Sequence, residues 1–247
     1  MSKSGKAPYE LYYWPGIQGR GEFVRLALED AGADYVDVAR LPKEKGGGVT
    51  AITQVLTSAD DPAFAPPILK IDGRYVAQTA LILQVLGPRL GLAPQDEPNR
   101  IFAAQLQLTI ADLVSEVHET HHPVAADLYF EDQKPEAERR AKHFTKDRIP
   151  KFLGYFERVL EKNGGRFMVG DAVSYVDLSI FQIMSGLAYA FPRAFASHSP
   201  NVPLLSNLTT QVATRPRLAE YLHSPRRIAF NQQGIFRRYP ELDVPPP

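Results

Sequence analysis

Residues 65–86 read APPILKIDGRYVAQTALILQVL, and this stretch decides the fold. A proline has no amide hydrogen to donate to a sheet, so a strand begins only after Pro67. Asp72-Gly73 is a strong turn pair between two short apolar runs, which predicts a hairpin. The two strands of this hairpin are residues 68–71 and 74–77. Thr79 then offers a hydroxyl at the start of a helix, because the apolar residues that follow it recur at helical spacing.

This order of elements predicts a binding site built from backbone groups. The first N–H groups of a helix have no partner within the helix, so the helix beginning at Thr79 attracts an anion such as a carboxylate. A cis peptide bond before Pro67 would turn the backbone groups of its neighbours toward the same ligand. An ordinary hairpin and helix without a ligand is the alternative interpretation.

The N-terminal segment adds a strand, a helix and a further strand. Residues 9–14 alternate with a period of two, and Pro15 and Gly16 end that strand. Beyond Gly19 the apolar residues fall at helical spacing, and Gly32 suits the helix end. A short strand at residues 35–38 and a loose glycine-rich segment complete the order before the hairpin.

Strand, helix, strand, hairpin and helix is the thioredoxin-like order, and the chain resembles the cytosolic glutathione S-transferases. The resemblance rests on three blocks that together span most of the chain: residues 9–32, residues 67–79 and GDAVSYVD at residues 170–177. Residues 9–32 resemble the tyrosine-type classes, and residues 67–79 are most similar to the sigma-like pattern. The resemblance implies an α/β thioredoxin-like domain at residues 1–87, which binds glutathione. An all-α domain at residues 94–247 would form most of the hydrophobic substrate pocket.

Composition limits the alternatives. The chain has 28 lysines and arginines and 28 aspartates and glutamates, so its formal net charge is zero. No overall positive charge therefore favours binding to nucleic acid or to an anionic membrane surface. The first nine residues are polar and lack the apolar core of a signal peptide, so we expect a cytoplasmic protein. The chain has no cysteine, which removes a disulfide scaffold and a nucleophilic thiol of its own. Any thiol must therefore come with a substrate.

The resemblance implies a tyrosine hydroxyl that activates the thiol of glutathione. Free glutathione is mostly protonated at neutral pH, and a donor on its sulfur stabilises the thiolate. Tyr13 is the candidate, since it immediately precedes Trp14-Pro15 as the catalytic tyrosine of the family precedes an aromatic residue and a turn. One extra residue before Gly19 lengthens the following loop relative to the family. Tyr12 is the fallback, although strand alternation turns it to the other face of the sheet.

The resemblance implies further glutathione-binding residues. Gln78 and Thr79 would hold the γ-glutamyl carboxylate, while Pro66, which lacks an N–H, and Pro67 would lie along the cysteinyl part. The remaining candidates are Arg20, Lys45 for the glycyl carboxylate, and Asp112 for the glutathione of a partner subunit in a homodimer. A solvated Lys45 is an equal alternative.

A rival motif, H-E-x-x-H, occupies residues 118–122. Two histidines one turn apart can bind zinc, with the glutamate between them acting as a base. Pro123 disfavours helical geometry at His122, and no third ligand follows at a recognisable spacing. We therefore interpret the motif as a chance match without a metal, in a region that borders the electrophile pocket.

The sequence thus predicts an enzyme that conjugates the thiolate of glutathione, its co-substrate, to a hydrophobic electrophile. Neither a metal nor a separate redox cofactor is implied. The alternative is a protein of the same fold that binds glutathione or apolar ligands without turnover, because fold alone does not determine activity.

Overall fold

The computed structural model describes residues 9–58 and 62–245. The segment at residues 1–8, on which the expectation of no signal peptide rests, lies outside the described residues, as do residues 59–61 and 246–247. No helix in the described part of the chain combines the length and apolar character needed to cross a bilayer.

A four-stranded mixed sheet forms the first part of the molecule. Its strands are β1 (Tyr9–Tyr12), β2 (Tyr35–Asp37), β3 (Ile68–Ile71) and β4 (Arg74–Ala77). Their order is β2-β1-β3-β4, with β1 and β2 parallel and the other pairs antiparallel. The β3–β4 turn has positive φ at both Asp72 (51°) and Gly73 (80°), as a tight two-residue hairpin requires. The predicted hairpin and thioredoxin-like arrangement are confirmed.

Three helices cover this sheet: α1 (Gly21–Ala31), α2 (Val49–Ser58) and α3 (Thr79–Leu90). The helices α1 and α3 pack on the face that carries Leu11, and α2 packs on the face that carries Tyr12. Successive strand residues point to opposite faces, so Leu11 and Tyr12 enter two different apolar clusters. The helix α2 lies partly in the segment expected to be loose.

The rest of the chain is helical. Its helices are α4 (Glu97–Glu119), α5 (Lys134–His143), α6 (Ile149–Lys162), α7 (Tyr175–Ala190), α8 (Pro192–His198), α9 (Pro203–Ala213) and α10 (Pro216–Leu222). A π-helical turn at Phe144–Arg148 separates α5 from α6. Pro150 lies in the first turn of α6, where its missing N–H costs least, so the chain restarts a helix there.

A buried carboxylate fixes the start of α7. The Asp177 side chain accepts hydrogen bonds from the amides of Ser174 and Met168, both at 2.8 Å, and from the Ser174 hydroxyl at 2.6 Å. Burial raises the pKa of this carboxyl. Ser174 and Asp177 therefore form a capping box, which organises the fold rather than a reaction.

A buried polar network joins the sheet to the helical part. Arg25, completely buried on α1, lies 2.7 Å from Asp37 and 3.4 Å from Glu22. The hydroxyl of Tyr221 on α10 donates to Glu22 at 2.9 Å. Because an unpaired buried charge is costly, these contacts hold the two parts in one relative position.

The C-terminal segment, residues 226–243, runs back across both parts. The Arg226 guanidinium binds Glu29 on α1 at 2.8 Å, and the Asn231 amide donates to the Gly16 carbonyl at 2.8 Å. Near its end, Asp243 accepts from the amides of Arg193 and Ala194 at 2.8 and 2.9 Å. This segment therefore fastens the loop that follows β1 to the helical part.

Candidate functional site

Tyr13 lies immediately after β1 and is 3% exposed. Its hydroxyl oxygen accepts a hydrogen bond from the backbone N–H of Arg20 at 2.7 Å. Within the described part of the chain, the Tyr13 hydroxyl donates to no acceptor, so its proton is uncommitted. Tyr13 therefore has the hydrogen-bonding capacity to donate to a ligand atom.

Two glycines let the Tyr13 ring approach the loop backbone. A Cβ atom on Gly19, which has a φ of +46°, would collide with the Tyr13 hydroxyl oxygen, and one on Gly21 would lie 2.5 Å from the ring. Burial raises the pKa of Tyr13, while its hydrogen bond to Arg20 and the nearby positive charges of Arg20 and Arg25 act in the opposite direction. The phenol is neutral at physiological pH and acts as a hydrogen-bond donor.

Tyr12 faces the opposite side of the sheet. Its hydroxyl donates to Glu10 at 2.7 Å, and its ring lies edge-on to Tyr75. Burial and the neighbouring Glu10 carboxylate raise its pKa. The hydroxyl of Tyr12 is therefore already engaged by Glu10.

A cavity of about 620 Å³ lies between the start of α3 and the middle of α4. We call it the α3–α4 cavity, and its polar lining comprises Arg20, Gln78, Thr79, Gln84, Gln107 and Ser115. The structure thus brings together three residues that the sequence predicts for glutathione binding, namely Arg20, Gln78 and Thr79. Arg20 also links this cavity to Tyr13 through its backbone amide.

Two features of the α3–α4 cavity favour a ligand. The Thr79 hydroxyl and the Gln107 side-chain oxygen are buried, and neither has a hydrogen-bond partner in the described part of the chain. Gln78, directly before α3, has a φ of 68°, a costly conformation for a residue with a side chain. Unpaired buried polar atoms and backbone strain cluster at ligand sites.

The other predicted residues lie outside the lining of this cavity. Pro66 and Pro67 precede β3, and the peptide bond between them is cis. Lys45 is exposed at the end of a short 3₁₀ turn, and Asp112 is exposed on α4 beside the cavity-lining Ala111.

Three histidines stack where α4 ends. The rings of His118 and His122 are nearly parallel with centroids 4.8 Å apart, and His121 meets both edge-on. Zinc ligands must direct their nitrogen lone pairs to one point about 2 Å away, which parallel stacked rings do not do. The His122 Nδ1 donates to the Leu128 carbonyl at 3.0 Å, and Glu119 is bound by Arg140 at 2.8 Å. No group of three metal-binding side chains is found in the described residues.

The histidine rings are neutral at physiological pH. Burial is the main cause that lowers the pKa of His118 to about 4, and electrostatic interactions with His122, Arg20 and Arg237 act in the same direction. Burial also lowers the pKa of His121 to about 3, although its Nε2 donates to the Ile235 carbonyl at 2.9 Å. Imidazoles in this cluster are therefore hydrogen-bonding groups rather than charges.

A separate cavity of about 510 Å³ opens beside this cluster. We call it the histidine cavity, and it is lined by His118, His122, Phe130, Arg237 and Tyr239, among others. The rings of Phe130 and Tyr239 stack with centroids 4.0 Å apart and form an apolar wall. His118 lies one helical turn beyond Ser115 on α4, so the two cavities are neighbours along one helix.

The chain is similar to known proteins over most of its length. A family model described as the glutathione S-transferase C-terminal domain matches residues 118–225. Glutathione S-transferase A of Cavia porcellus is 27% identical over 92% of this chain and 95% of its own length. Glutathione S-transferase alpha-3 of Rattus norvegicus is 29% identical over 86% of this chain and 87% of its own length. The chain is therefore similar to glutathione S-transferases over most of its length.

Solved structures support the same fold. The Pi-class glutathione S-transferase of Onchocerca volvulus superposes with a TM-score of 0.68 at 22% identity, covering 87% of this chain and 92% of its own length. A likeness at this identity shows that the two chains share a fold, and it does not identify a substrate.

Sequence reasoning missed two polar residues that line the cavities, Gln107 and Arg237. The sequence does contain a sign of Gln107, because this glutamine interrupts an apolar face of the helix that includes Leu106 and Ile110. Arg237 had none, since it lies in an irregular segment that reaches α4 only through tertiary contacts.

Proposed function

We propose that the protein is a glutathione transferase in which the thiolate of glutathione attacks a hydrophobic electrophile. The α3–α4 cavity carries this proposal, because it collects Arg20, Gln78 and the unpaired Thr79 hydroxyl around the N-terminus of α3. Helix N-terminal amides and a hydroxyl are suitable donors for the γ-glutamyl carboxylate. The tyrosine-type, sigma-like assignment belongs to the same proposal.

In this mechanism the Tyr13 hydroxyl donates a hydrogen bond to the sulfur. Its oxygen already accepts from Arg20 at 2.7 Å, which favours donation of its remaining proton. A hydrogen bond to the thiolate lowers the pKa of the thiol and increases the reactive fraction at neutral pH. The thiolate supplies the electron pair for the new bond to carbon, and the leaving group or the adjacent carbon of an enone takes up the displaced charge.

The remaining predicted residues extend the glutathione site. In this proposal Pro66 and Pro67 lie along the cysteinyl part of the ligand, and exposed Lys45 pairs with the glycyl carboxylate. The domain division at residues 1–87 and 94–247 separates the glutathione site from most of the electrophile pocket. A cytoplasmic location is part of this proposal and is consistent with a chain that has no cysteine.

The histidine cavity is the proposed site for the electrophile. It follows the α3–α4 cavity along α4, and its apolar wall of Phe130 and Tyr239 suits a hydrophobic molecule. Neutral His118 can donate a hydrogen bond to a carbonyl or nitro oxygen of that molecule.

A homodimer completes the proposal. Several large apolar side chains are exposed: Leu81 on α3, Ile101 and Leu108 on α4, and Phe64 in the segment before β3. Burying them against another copy of the chain would remove apolar area from water. Exposed Asp112 on the same helix would then reach the glutathione of the partner.

Binding without turnover is the alternative candidate function, favoured by the 3% exposure of Tyr13. A conjugation screen over aryl halides, enones, epoxides and hydroperoxides, with thermal stabilisation by glutathione as the binding control, separates the two. Conjugation above the uncatalysed rate supports the transferase. Stabilisation without conjugation supports the binding protein, and absence of both overturns the glutathione site.

A further inference from the structure

Arg237 differs from the arginines whose ion pairs organise this fold. Arg148 and Arg226, for example, lie 2.6 and 2.8 Å from the carboxylates of Glu116 and Glu29. Within the described part of the chain, no carboxylate lies at ion-pair distance from the Arg237 guanidinium. An arginine that lines a cavity and has no carboxylate partner is available to an anion from outside the chain.

Backbone carbonyls hold the Arg237 guanidinium in place and leave most of its donors free. Its Nε donates to the Gly234 carbonyl oxygen at 2.8 Å, and its Nη2 donates to the Gln233 carbonyl oxygen at 3.4 Å. Both hydrogens of Nη1 and one hydrogen of Nη2 are therefore unused among the described residues. Donors placed side by side on these two nitrogens suit the two oxygens of a carboxylate.

The guanidinium lies beside the histidine cluster in the wall of the histidine cavity. Arg237 belongs to the lining of this cavity, together with His118 and His122. Burial is the main cause that lowers the pKa of His118, His121 and His122, and the charge of Arg237 acts in the same direction at each. Because the imidazoles are neutral at physiological pH, Arg237 supplies the positive charge in the described lining of this cavity.

Two carboxylates, those of Asp127 and Glu131, also line the histidine cavity, but both side chains are exposed. Water and salt screen exposed charges, whereas the half-buried Arg237 is screened less. The stacked rings of Phe130 and Tyr239 provide a flat apolar wall in the same cavity. The histidine cavity thus combines an apolar surface with one oriented cation.

We propose that the histidine cavity selects hydrophobic electrophiles that carry a carboxylate, and that Arg237 is the specificity-determining residue that binds this carboxylate. This inference rests on the proposed function, in which the histidine cavity receives the electrophile. The apolar body of the substrate packs against Phe130 and Tyr239, and its carboxylate accepts hydrogen bonds from Nη1 and Nη2 of Arg237. A neutral electrophile of the same shape leaves these donors to water and binds more weakly.

Binding is tested with two unreactive ligands of nearly the same shape, 3,5-dinitrobenzoate and 3,5-dinitrobenzamide. Calorimetry on the unaltered protein should show the carboxylate binding about fivefold more tightly, as a partly exposed charge pair implies. In Arg237→Met this preference should fall to about one, through weaker binding of the carboxylate alone. Arg237→Lys should keep part of the preference, because it retains the charge without the paired donors.

Arg238→Met is the matched control, because Arg238 is exposed and lies outside the cavity lining. It should keep the fivefold preference. Equal binding of the two ligands to the unaltered protein, or an unchanged preference in Arg237→Met, would overturn the inference. Tighter binding of 3,5-dinitrobenzylammonium than of the carboxylate would also overturn it, since the exposed Asp127 and Glu131 would then govern selection. The ligand series on the unaltered protein does not depend on how a variant folds.

Turnover separates this inference from the proposed function. The electrophiles are 4-chloro-3,5-dinitrobenzoate and its amide: the thiolate sulfur forms a bond to the ring carbon, and chloride leaves with the electron pair of the broken C–Cl bond. After each rate is divided by its uncatalysed rate, the carboxylate should have about a fivefold advantage in kcat/KM, carried by KM, and Arg237→Met should remove it. Equal enhancement of both electrophiles would overturn the inference and leave the transferase intact. Conjugation of neither would overturn the proposed function, on which the inference rests.

Discussion

Replacing Tyr13 with phenylalanine removes the hydroxyl group, which has two separate roles. That oxygen accepts from the Arg20 amide at 2.7 Å, and Tyr13 is only 3% exposed. The variant therefore leaves the partly buried Arg20 N–H without this partner, which costs about 1 kcal/mol of unfolding free energy. The hydroxyl proton is also lost as a donor to the bound thiolate. A hydrogen bond to a charged acceptor contributes about 1.5–3 kcal/mol, so the pKa of bound glutathione should rise by about one to two units.

Each effect has its own measurement. Urea unfolding reports the stability loss, and ultraviolet absorbance of the thiolate reports the titration of bound glutathione. Conjugation at neutral pH should fall by about tenfold to a hundredfold, in step with the lost thiolate. Tyr12→Phe is the control, since its hydroxyl donates to Glu10 on the opposite face of the sheet. If Tyr12→Phe shifts the thiol titration and Tyr13→Phe does not, the assignment of Tyr13 is refuted.

Neighbouring features lead to three further predictions. Gly21→Ala puts a Cβ atom 2.5 Å from the Tyr13 ring. Thermal denaturation should therefore show about 1–3 kcal/mol of destabilisation, and conjugation should be reduced. Gly16→Ala is the control and should show neither effect, because the space around Gly16 is open. Because the pKa values of His118 and His121 are lowered on folding to about 4 and 3, the unfolded state binds more protons at mildly acid pH. The unfolding free energy should therefore be fully retained above pH 6.5 and should fall as the pH drops toward 4, by about 1.4 kcal/mol per pH unit for each histidine. If the slope of unfolding free energy against pH is the same in His118→Gln, this prediction is contradicted. Pro66→Val restores a backbone N–H, so calorimetry should show glutathione binding about twofold to tenfold tighter, in a protein less stable by about 0.4–1 kcal/mol. Equal or weaker binding would mean that the site does not use that backbone contact.

Local chemistry made the sheet and its hairpin predictable. The turn at Asp72-Gly73, the prolines before β3 and the strand alternation at Leu11 and Tyr12 all act within a few residues, and the structure has each of them as expected. The helix α2 was not expected, because its segment VTAITQVLTS is rich in β-branched residues that individually favour strands. Packing of Ile52 and Val55 against the sheet overrides that preference.

The candidate site could be predicted only where it depends on residues that are close in sequence. Gln78 and Thr79 adjoin a helix start, so their role as anion-binding candidates could be inferred from the sequence. The histidine cluster could not be derived, since α4 ends at Glu119 and the rings then stack beside a segment more than a hundred residues away. Interactions such as that of His121 with Ile235 depend on the whole tertiary fold.

The contacts of the C-terminal segment determine which part of the protein can fold first during synthesis. The loop after β1, which carries the partners of Tyr13, is held by Asn231 and by the Gln18 contact with the Ile228 carbonyl. These residues are synthesised roughly two hundred positions after the loop that they hold. On the ribosome, the sheet can therefore form early, while the loop after β1 is held in place only once residues 226–243 have emerged. A nascent chain arrested before that segment should bind glutathione weakly even though most of its fold is already present.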